Sequence, residues 1–570
     1  MACTDGIPTG YHSNITLTVS FTDLRQSGKN SVNVTNSSPY QLGAEKLITM
    51  KTTRRIMLGT LAGVTSAAVV LPYIKKGIAQ GGSPLVLTPF VDELPIPRPL
   101  GQSVAVQGGA FDPRVFAHGQ PNYHELVEAE GTHQFHRDLP QTAMWLYNGT
   151  YPGPTFINRR GTPTLIRRIN NLNPAHVGFG MPETSMHHHG GHQAPPDDGW
   201  PLDFILPGSY RDHIIPNIVP EGDSREWPST LWYHDHTIDY TGANVYRGLA
   251  GLSLHFDDID SGNENDLNPQ ALRLPSGEYD IPLVFRDIAL NADGSLFFDQ
   301  LNIKGQVGNL LTINGKVKPY LKVAARKYRF RLLVGGMARQ YQLKLSDNST
   351  FQVIASDGGL LENPVTTNVH HQANAERYEI VIDFSRYAVG TQITLNDHVV
   401  QTDGNKPDAI ATVGNPILLF VVDRTAVDNS QVLPTLRPLP PIELNRVVAT
   451  RNLVLGKKGG MWTINNKTWN PNVPLFRPKL NSFEIWNVSV AGGGWHHPLH
   501  IHQEYFRILK RAGKTPPARE RGKKDVVFVT DKTPVQLYVG FRTFTGPYVF
   551  HCHNLGHEDM AMMGWYDVQA

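Results

Sequence analysis

The chain has 570 residues, 40% of them hydrophobic and 18% charged, with a formal net charge of +2. That length asks for three or four domains at about 150 residues each. The near-neutral balance excludes recognition by bulk charge, so neither nucleic acid nor an anionic membrane surface is an expected partner.

Residues 1–49 are rich in Ser, Thr and Asn and lack helical periodicity. They read as a disordered extension or as sequence upstream of a true start at Met50. Residues 50–79 hold the pair Arg54-Arg55, an apolar run from Ile56 to Leu71, and the small residues Gly77 and Ala79. This is a twin-arginine signal peptide in outline, and its apolar run is shorter than the roughly 20 residues that span a bilayer. The mature protein is expected from about Gln80, periplasmic or secreted, with no stable membrane anchor after cleavage. Cys3 would leave with the signal, so Cys552 remains as the single thiol.

Beyond Gln80, short apolar or alternating runs recur at 164–169, 251–256, 328–333, 377–384, 417–422 and 525–530, broken by Gly, Pro, Asn and Asp. This pattern predicts an all-β chain of sandwiches or barrels. The acidic, polar stretch 257–275 and the proline-rich stretch 433–441 look like connectors. They divide the chain into domains at 80–258, 276–425 and 442–570. A basic stretch holds Lys510, Arg511, Lys514, Arg519, Arg521, Lys523 and Lys524 together with Gly513, Pro516, Pro517 and Gly522, and reads as a solvated loop.

Four histidine clusters carry the chemistry. They are His187-His188-His189-Gly190, His234-Asp235-His236, His497-Pro498-Leu499-His500-Ile501-His502, and His551-Cys552-His553 followed by His557 and Met562. On a strand, residues two apart share a face, so each His-x-His pair aims two imidazoles at one point. The spacing occurs at 187/189, 234/236, 500/502 and 551/553. Eight imidazoles around a common volume suit copper, zinc, iron or nickel. Cys552 narrows the choice. It faces away from His551 and His553 and can join His497, His557 and Met562, and a thiolate, two imidazoles and a thioether are the ligands of a blue-copper site. His188, Asp235 and Ile501 lie between ligands and should point away. His192, His370, His371 and His496 fit no ligand spacing and read as surface or internally satisfied polar residues.

These clusters resemble the four copper motifs of the multicopper oxidase family, and the resemblance covers essentially the whole mature chain. It implies three cupredoxin-like Greek-key β-sandwich domains and four copper ions. Position by position it implies a type 1 copper on His497, Cys552, His557 and Met562, and a type 2 copper on His187 and His500. It implies a type 3 pair on His189, His234, His236, His502, His551 and His553. Asp198 and Glu558 match carboxylates near the three-copper cluster, and are expected to deliver protons or orient ligands. The stretches GGGWHHPLHIH (492–502) and WYHDHTIDYTGANVYRGLAG (232–251) look most like the bilirubin oxidase and spore-coat laccase branch.

The expected activity is therefore one-electron oxidation of phenols, aromatic amines or tetrapyrroles such as bilirubin, coupled to four-electron reduction of O2 to water. The alternative is a cuprous or manganese oxidase. Cuprous members often carry a methionine-rich insert of soft ligands, which this chain with its 11 methionines lacks. A copper nitrite reductase is disfavoured by the length, and a copper-free scaffold role by the complete ligand set. The expected partners are a small reducing molecule and O2, and a monomer is expected.

Overall fold

In a computed structural model of the protein, residues 87–103 and 113–570 are described. The extension at 1–49, the signal segment and the start at Gln80 lie outside them.

Strand formation follows the period-two alternation. Tyr341–Leu345 buries every second residue. Lys327–Val334 buries both faces. Tyr328, Phe330 and Leu332 enter an apolar core, while Arg329 and Arg331 leave from the other face into ion pairs with Asp260, Asp280 and Glu379. Such charges are tolerated at 0% exposure only because each is paired.

The strands group into three sandwiches. In the first, a sheet ordered Thr142–Tyr147, Asn122–His133, Thr164–Asn170, Tyr210–Ile215 faces one ordered Gly153–Arg159, Ala250–Phe256, Thr230–Asp235, Met186–His189. Leu126, Trp145 and Ile166 from one sheet meet Phe156, Met186 and Tyr233 from the other. The middle sandwich pairs a seven-stranded with a five-stranded sheet, and the third a six-stranded with a four-stranded sheet. A further apolar cluster joins all three, with Phe135 and Trp232 from the first, Val284 and Leu333 from the second, and Val526 and Leu555 from the third.

Helix is confined, among the described residues, to short pieces. Leu555–Glu558 is one turn, started by the side chain of Asn554, which accepts the Gly556 N–H at 3.2 Å. This turn sets His557 and Glu558 beside Cys552. No helix among the described residues is long and apolar enough to cross a membrane.

One expectation is corrected in part. The basic stretch is a solvated loop only in its middle, where Lys514 and Arg521 are exposed. Lys510 and Arg511 lie on strand Phe506–Arg511, and Lys523–Lys524 form a strand paired with it. Both of those lysines are buried, Lys524 against Asp357 (2.9 Å) and Glu376 (3.1 Å). The two connectors also carry buried residues. Asp257, Asp260 and Glu264 from the acidic stretch are buried on Arg437, Arg329 and Arg326. Leu436 from the proline-rich stretch packs with Leu272 and Leu274. Composition marked 257–275 as polar; pairing with arginines across the fold is what buries its acids.

Candidate metal centre

Two antiparallel strand pairs build the site. In the first sandwich Met186–His189 runs beside Thr230–Asp235, with His187 opposite His234. In the third, His496–Ile501 runs beside Gly546–Cys552, with His500 opposite His551. Residues directly opposite share a face, so each pair presents its imidazoles as a block. The intervening residues turn away. His188 bonds Gln193 and Ser253, and Ile501 enters the third sandwich's core.

The two blocks meet. His187 Nε2 lies 3.3 Å from His500 Nε2. His551 Nε2 lies 3.2 Å from His236 Nε2 and 3.3 Å from His502 Nε2. Metal-capable groups of donor atoms form at His187/His500/His502, His189/His234/His553 and His236/His502/His551. On the far side of Cys552 a separate group forms from His497, Cys552 and His557. There the Cys552 sulfur is 3.4 Å from His497 Nδ1 and 3.5 Å from His557 Nδ1. Met562 is buried beside them, its carbonyl accepting from the Cys552 N–H and its N–H donating to the His557 carbonyl.

The protonation pattern shows that these rings fit metal ions. His187 Nδ1–H donates to the Asp198 carbonyl (2.6 Å) and His500 Nδ1–H to the Asp525 carbonyl (2.9 Å). His502 Nδ1–H donates to Asp198 Oδ2 (2.8 Å) and His551 Nδ1–H to the Cys552 carbonyl (3.4 Å), with Glu558 Oε2 standing 2.9 Å from the same nitrogen. A neutral ring has one N–H, so the facing Nε2 atoms of His187 and His500, and of His502 and His551, are lone pairs. No hydrogen bond can join either pair, whereas a cation between them can; His236, whose Nδ1 meets no acceptor, is free to carry its proton on Nε2. Likewise His234 Nε2 and His189 Nδ1 are buried without partners, while their other nitrogens bond the Asp235 carbonyl and the Asp525 carboxylate.

Burial keeps the rings neutral. It holds His234 at about 4, and His236 and His497 at about 3. His187, His500 and His502 lie well below the usual imidazole value, burial acting first and the neighbouring rings adding to it. Burial likewise pushes the Cys552 thiol up, so a thiolate there requires a cation at the sulfur. Burial alone would raise Glu558, and positive charge on the facing His551 and His236 side lowers it.

Two glycines make the close approaches possible. Gly199 adopts φ +83°, and a Cβ there would lie 2.2 Å from the Met186 carbonyl; this turn presents Asp198 to His187 and His502. Gly190, also at φ +83°, admits the Asp525 carboxylate and Arg377 guanidinium, which a Cβ would meet at 2.6 and 2.8 Å.

Eleven of the twelve ligand positions expected from the sequence fall in these donor groups, Met562 is buried beside the smaller one, and Asp198 and Glu558 touch the larger one. His192, His370, His371 and His496 join none of the metal-capable groups. Missed in the sequence were Asp525, which lies in the run after the basic stretch, and three residues of the middle sandwich. Arg377 clamps the Asp525 carboxylate with both terminal nitrogens, the Nη1 contact being 2.6 Å. Asp357 accepts the Val526 N–H, and Asn374 donates to the His553 carbonyl. No spacing could have found them, because their partners lie more than a hundred residues away.

A sulfur-bearing site joined by consecutive residues to an imidazole-lined one is a device for moving electrons between metals. Residues 129–255 and 445–570 each match a family described as multicopper oxidase. The chain is 36% identical over 463 residues to a bilirubin oxidase of Albifimbria verrucaria, covering 78% of this chain and 76% of that one. It is 33% identical over 543 residues to a laccase of Bacillus subtilis (strain 168), covering 85% and 99%. The crystal structure of the McoA multicopper oxidase from Aquifex aeolicus aligns with a TM-score of 0.69 at 26% identity, covering 84% of this chain and 99% of that one. The chain belongs to the multicopper oxidase family, a family of three cupredoxin-like domains and four coppers that oxidises small molecules with O2 as acceptor.

Two outcomes are expected. In metal-free protein the buried rings have pKa values below the unfolded value of about 6.5, so between those values the unfolded chain binds more protons. The rings' contribution to stability is then complete above about pH 6.5 and falls toward pH 3–4, while buried Asp235 and Asp525, raised to about 8 and about 6, act in the opposite sense. Urea midpoints of metal-free protein should therefore fall more steeply below about pH 6.5 than those of His236→Gln, which removes one such ring, and equal slopes would contradict the neutral buried rings. Asp525→Asn keeps an acceptor for His189 but loses the pairing with Arg377. Chelator competition should show metal retention weakened about 10- to 100-fold.

Proposed function

We propose that the protein is an exported four-copper oxidase that takes single electrons from phenols, aromatic amines or tetrapyrroles and returns water from O2. The observation that carries this reading is the strand Gly546–Cys552 with the residues after it. Cys552 faces His497 and His557, while His551 faces His236 and His502 on the opposite side. One covalent segment thereby serves both sites.

In this reading His497, Cys552, His557 and Met562 hold the type 1 copper, and His187 and His500 the type 2 copper. His189, His234, His236, His502, His551 and His553 hold the type 3 pair. The domains run 80–258, 276–425 and 442–570, and residues 50–79 direct export by the twin-arginine route to the periplasm or beyond. Bound copper supplies one-electron redox chemistry at the thiolate site, and at the cluster reduction of O2 by four electrons and four protons to two water molecules.

The chain's own residues supply position and protons. Asp198 accepts the outward N–H of His502 and so fixes which of its nitrogens faces the cluster, and Glu558 Oε2 stands 2.9 Å from the outward nitrogen of His551. Both carboxylates are nearly inaccessible, at 4% and 1% exposure, and within one ring of the volume where oxygen would be reduced. They stand where protons have to be handed on.

Copper-loaded protein should show a strong visible band at about 600 nm and consume O2 with bilirubin or a phenol. Cys552→Ser should abolish both, and a colourless wild type would overturn the ligand assignment. Glu558→Gln keeps the visible band, since it lies on the other side of Cys552, but should slow turnover about 100-fold. Unchanged turnover would remove Glu558 from the proton path.

A further inference from the structure

The sulfur-bearing site is closed to solvent. His497, Cys552 and His557 are each 0% exposed, and Trp462, at 1%, covers His557 with ring centroids 3.8 Å apart. A donor must therefore stop outside these residues, and a hairpin decides what it meets there. Strands Val447–Lys458 and Met461–Ile464 are joined by Gly459 and Gly460 at φ +59° and +83°, a two-residue turn that glycine alone adopts readily. Its register sets Lys457 opposite Trp462, so both side chains rise on one face.

The Lys457 ammonium lies 4.2 Å from the Trp462 ring and 4.5 Å from that of half-buried Trp495, which in turn is 5.7 Å from His557. Among the described residues it pairs with no carboxylate and donates no hydrogen bond, and it lies over two indole faces. The other charges nearby are accounted for. Lys304 is paired with Asp403 at 2.9 Å, and Lys406 and Asp531 act on His496 with opposite sign. Lys458 is exposed at the strand end. Beside the indoles stands an exposed apolar edge, for Trp462 Nε1 donates to the carbonyl of Ile303 (44% exposed), two residues from Leu301 (70%).

An unpaired ammonium, a half-exposed indole and an apolar edge together match one kind of molecule, an aromatic ring carrying an acid group. We propose that Lys457 is a specificity-determining residue of the oxidase, selecting aromatic donors that bear a carboxylate or sulfonate. The anion pairs with the free ammonium while the donor ring lies against Trp495, within electron-transfer reach of His557. The same ammonium repels Cu(I), Mn(II) and cationic amines from this edge. The proposal rests on the four-copper oxidase reading.

The test uses copper-loaded holoenzyme and one methoxyphenol carrying in turn a carboxylate, an amide or a trimethylammonium group. At low salt, kcat/KM should favour the carboxylate over the amide by about fivefold, the size of one partly exposed ion pair, with the cation last. Lys457→Gln should erase that preference while keeping the visible band, and Lys457→Arg should keep both. Lys322→Gln, at an exposed lysine on strand Tyr320–Ala324 of the middle sandwich, should change neither. In wild type the preference should fade as salt rises to about 0.5 M. A wild type indifferent to donor charge, a preference surviving high salt, or one retained by Lys457→Gln would overturn the proposal. A wild type with no visible band would instead sink the oxidase reading, and this proposal with it.

Discussion

Lone pairs facing lone pairs are the constraint on which the rest of this structure turns. His187, His500, His502 and His551 each bond a carbonyl or carboxylate through one nitrogen and present the other, unprotonated, to a neighbouring ring at 3.3 Å. Buried neutral imidazoles could have been paired donor to acceptor, which would be the stable metal-free arrangement. Between His187 and His500, and between His502 and His551, the outward acceptors forbid it. The interface between the first and third sandwiches is thus incomplete as a protein surface and complete as a set of metal ligands, which ties its stability to metal.

Holding that arrangement takes acids that are themselves held. Asp198 stands on a turn that only Gly199 permits; Glu558 stands on a capped helical turn; Asp525 is clamped by Arg377. The middle sandwich offers none of the twelve expected ligands, yet it reaches the cluster through Arg377, Asp357 and Asn374. A buried carboxylate is costly unless an opposite charge meets it, and truncating either partner leaves the other stranded. This makes the middle sandwich a brace for ligand geometry rather than a spacer.

The alternation of a single strand divides the labour. Cys552 and its two neighbours point to opposite faces, so the donor side and the oxygen side share covalent bonds but no solvent. On the donor side the hairpin at 457–462 places charge and aromatic surface outside the buried ligands. On the oxygen side nearly inaccessible carboxylates take over. Oxidation and reduction are kept apart by the thickness of a strand.

By itself the sequence determined the all-β class and marked the twelve expected ligand positions, because strand periodicity makes His-x-His a geometric statement and because Cys552 can face only one way between His551 and His553. The residues matching Asp198 and Glu558 were also legible, being adjacent to motif positions. Only the tertiary structure decided what lies behind those ligands. Asp525, Arg377 and Asn374 act across sandwiches, and Lys523 and Lys524, basic by composition, are buried because Glu226, Asp357 and Glu376 come to them from distant parts of the chain. Periodicity encodes which way a side chain points from its own strand. Which partner waits there depends on how sheets far apart in the chain pack, and no local pattern carries that information.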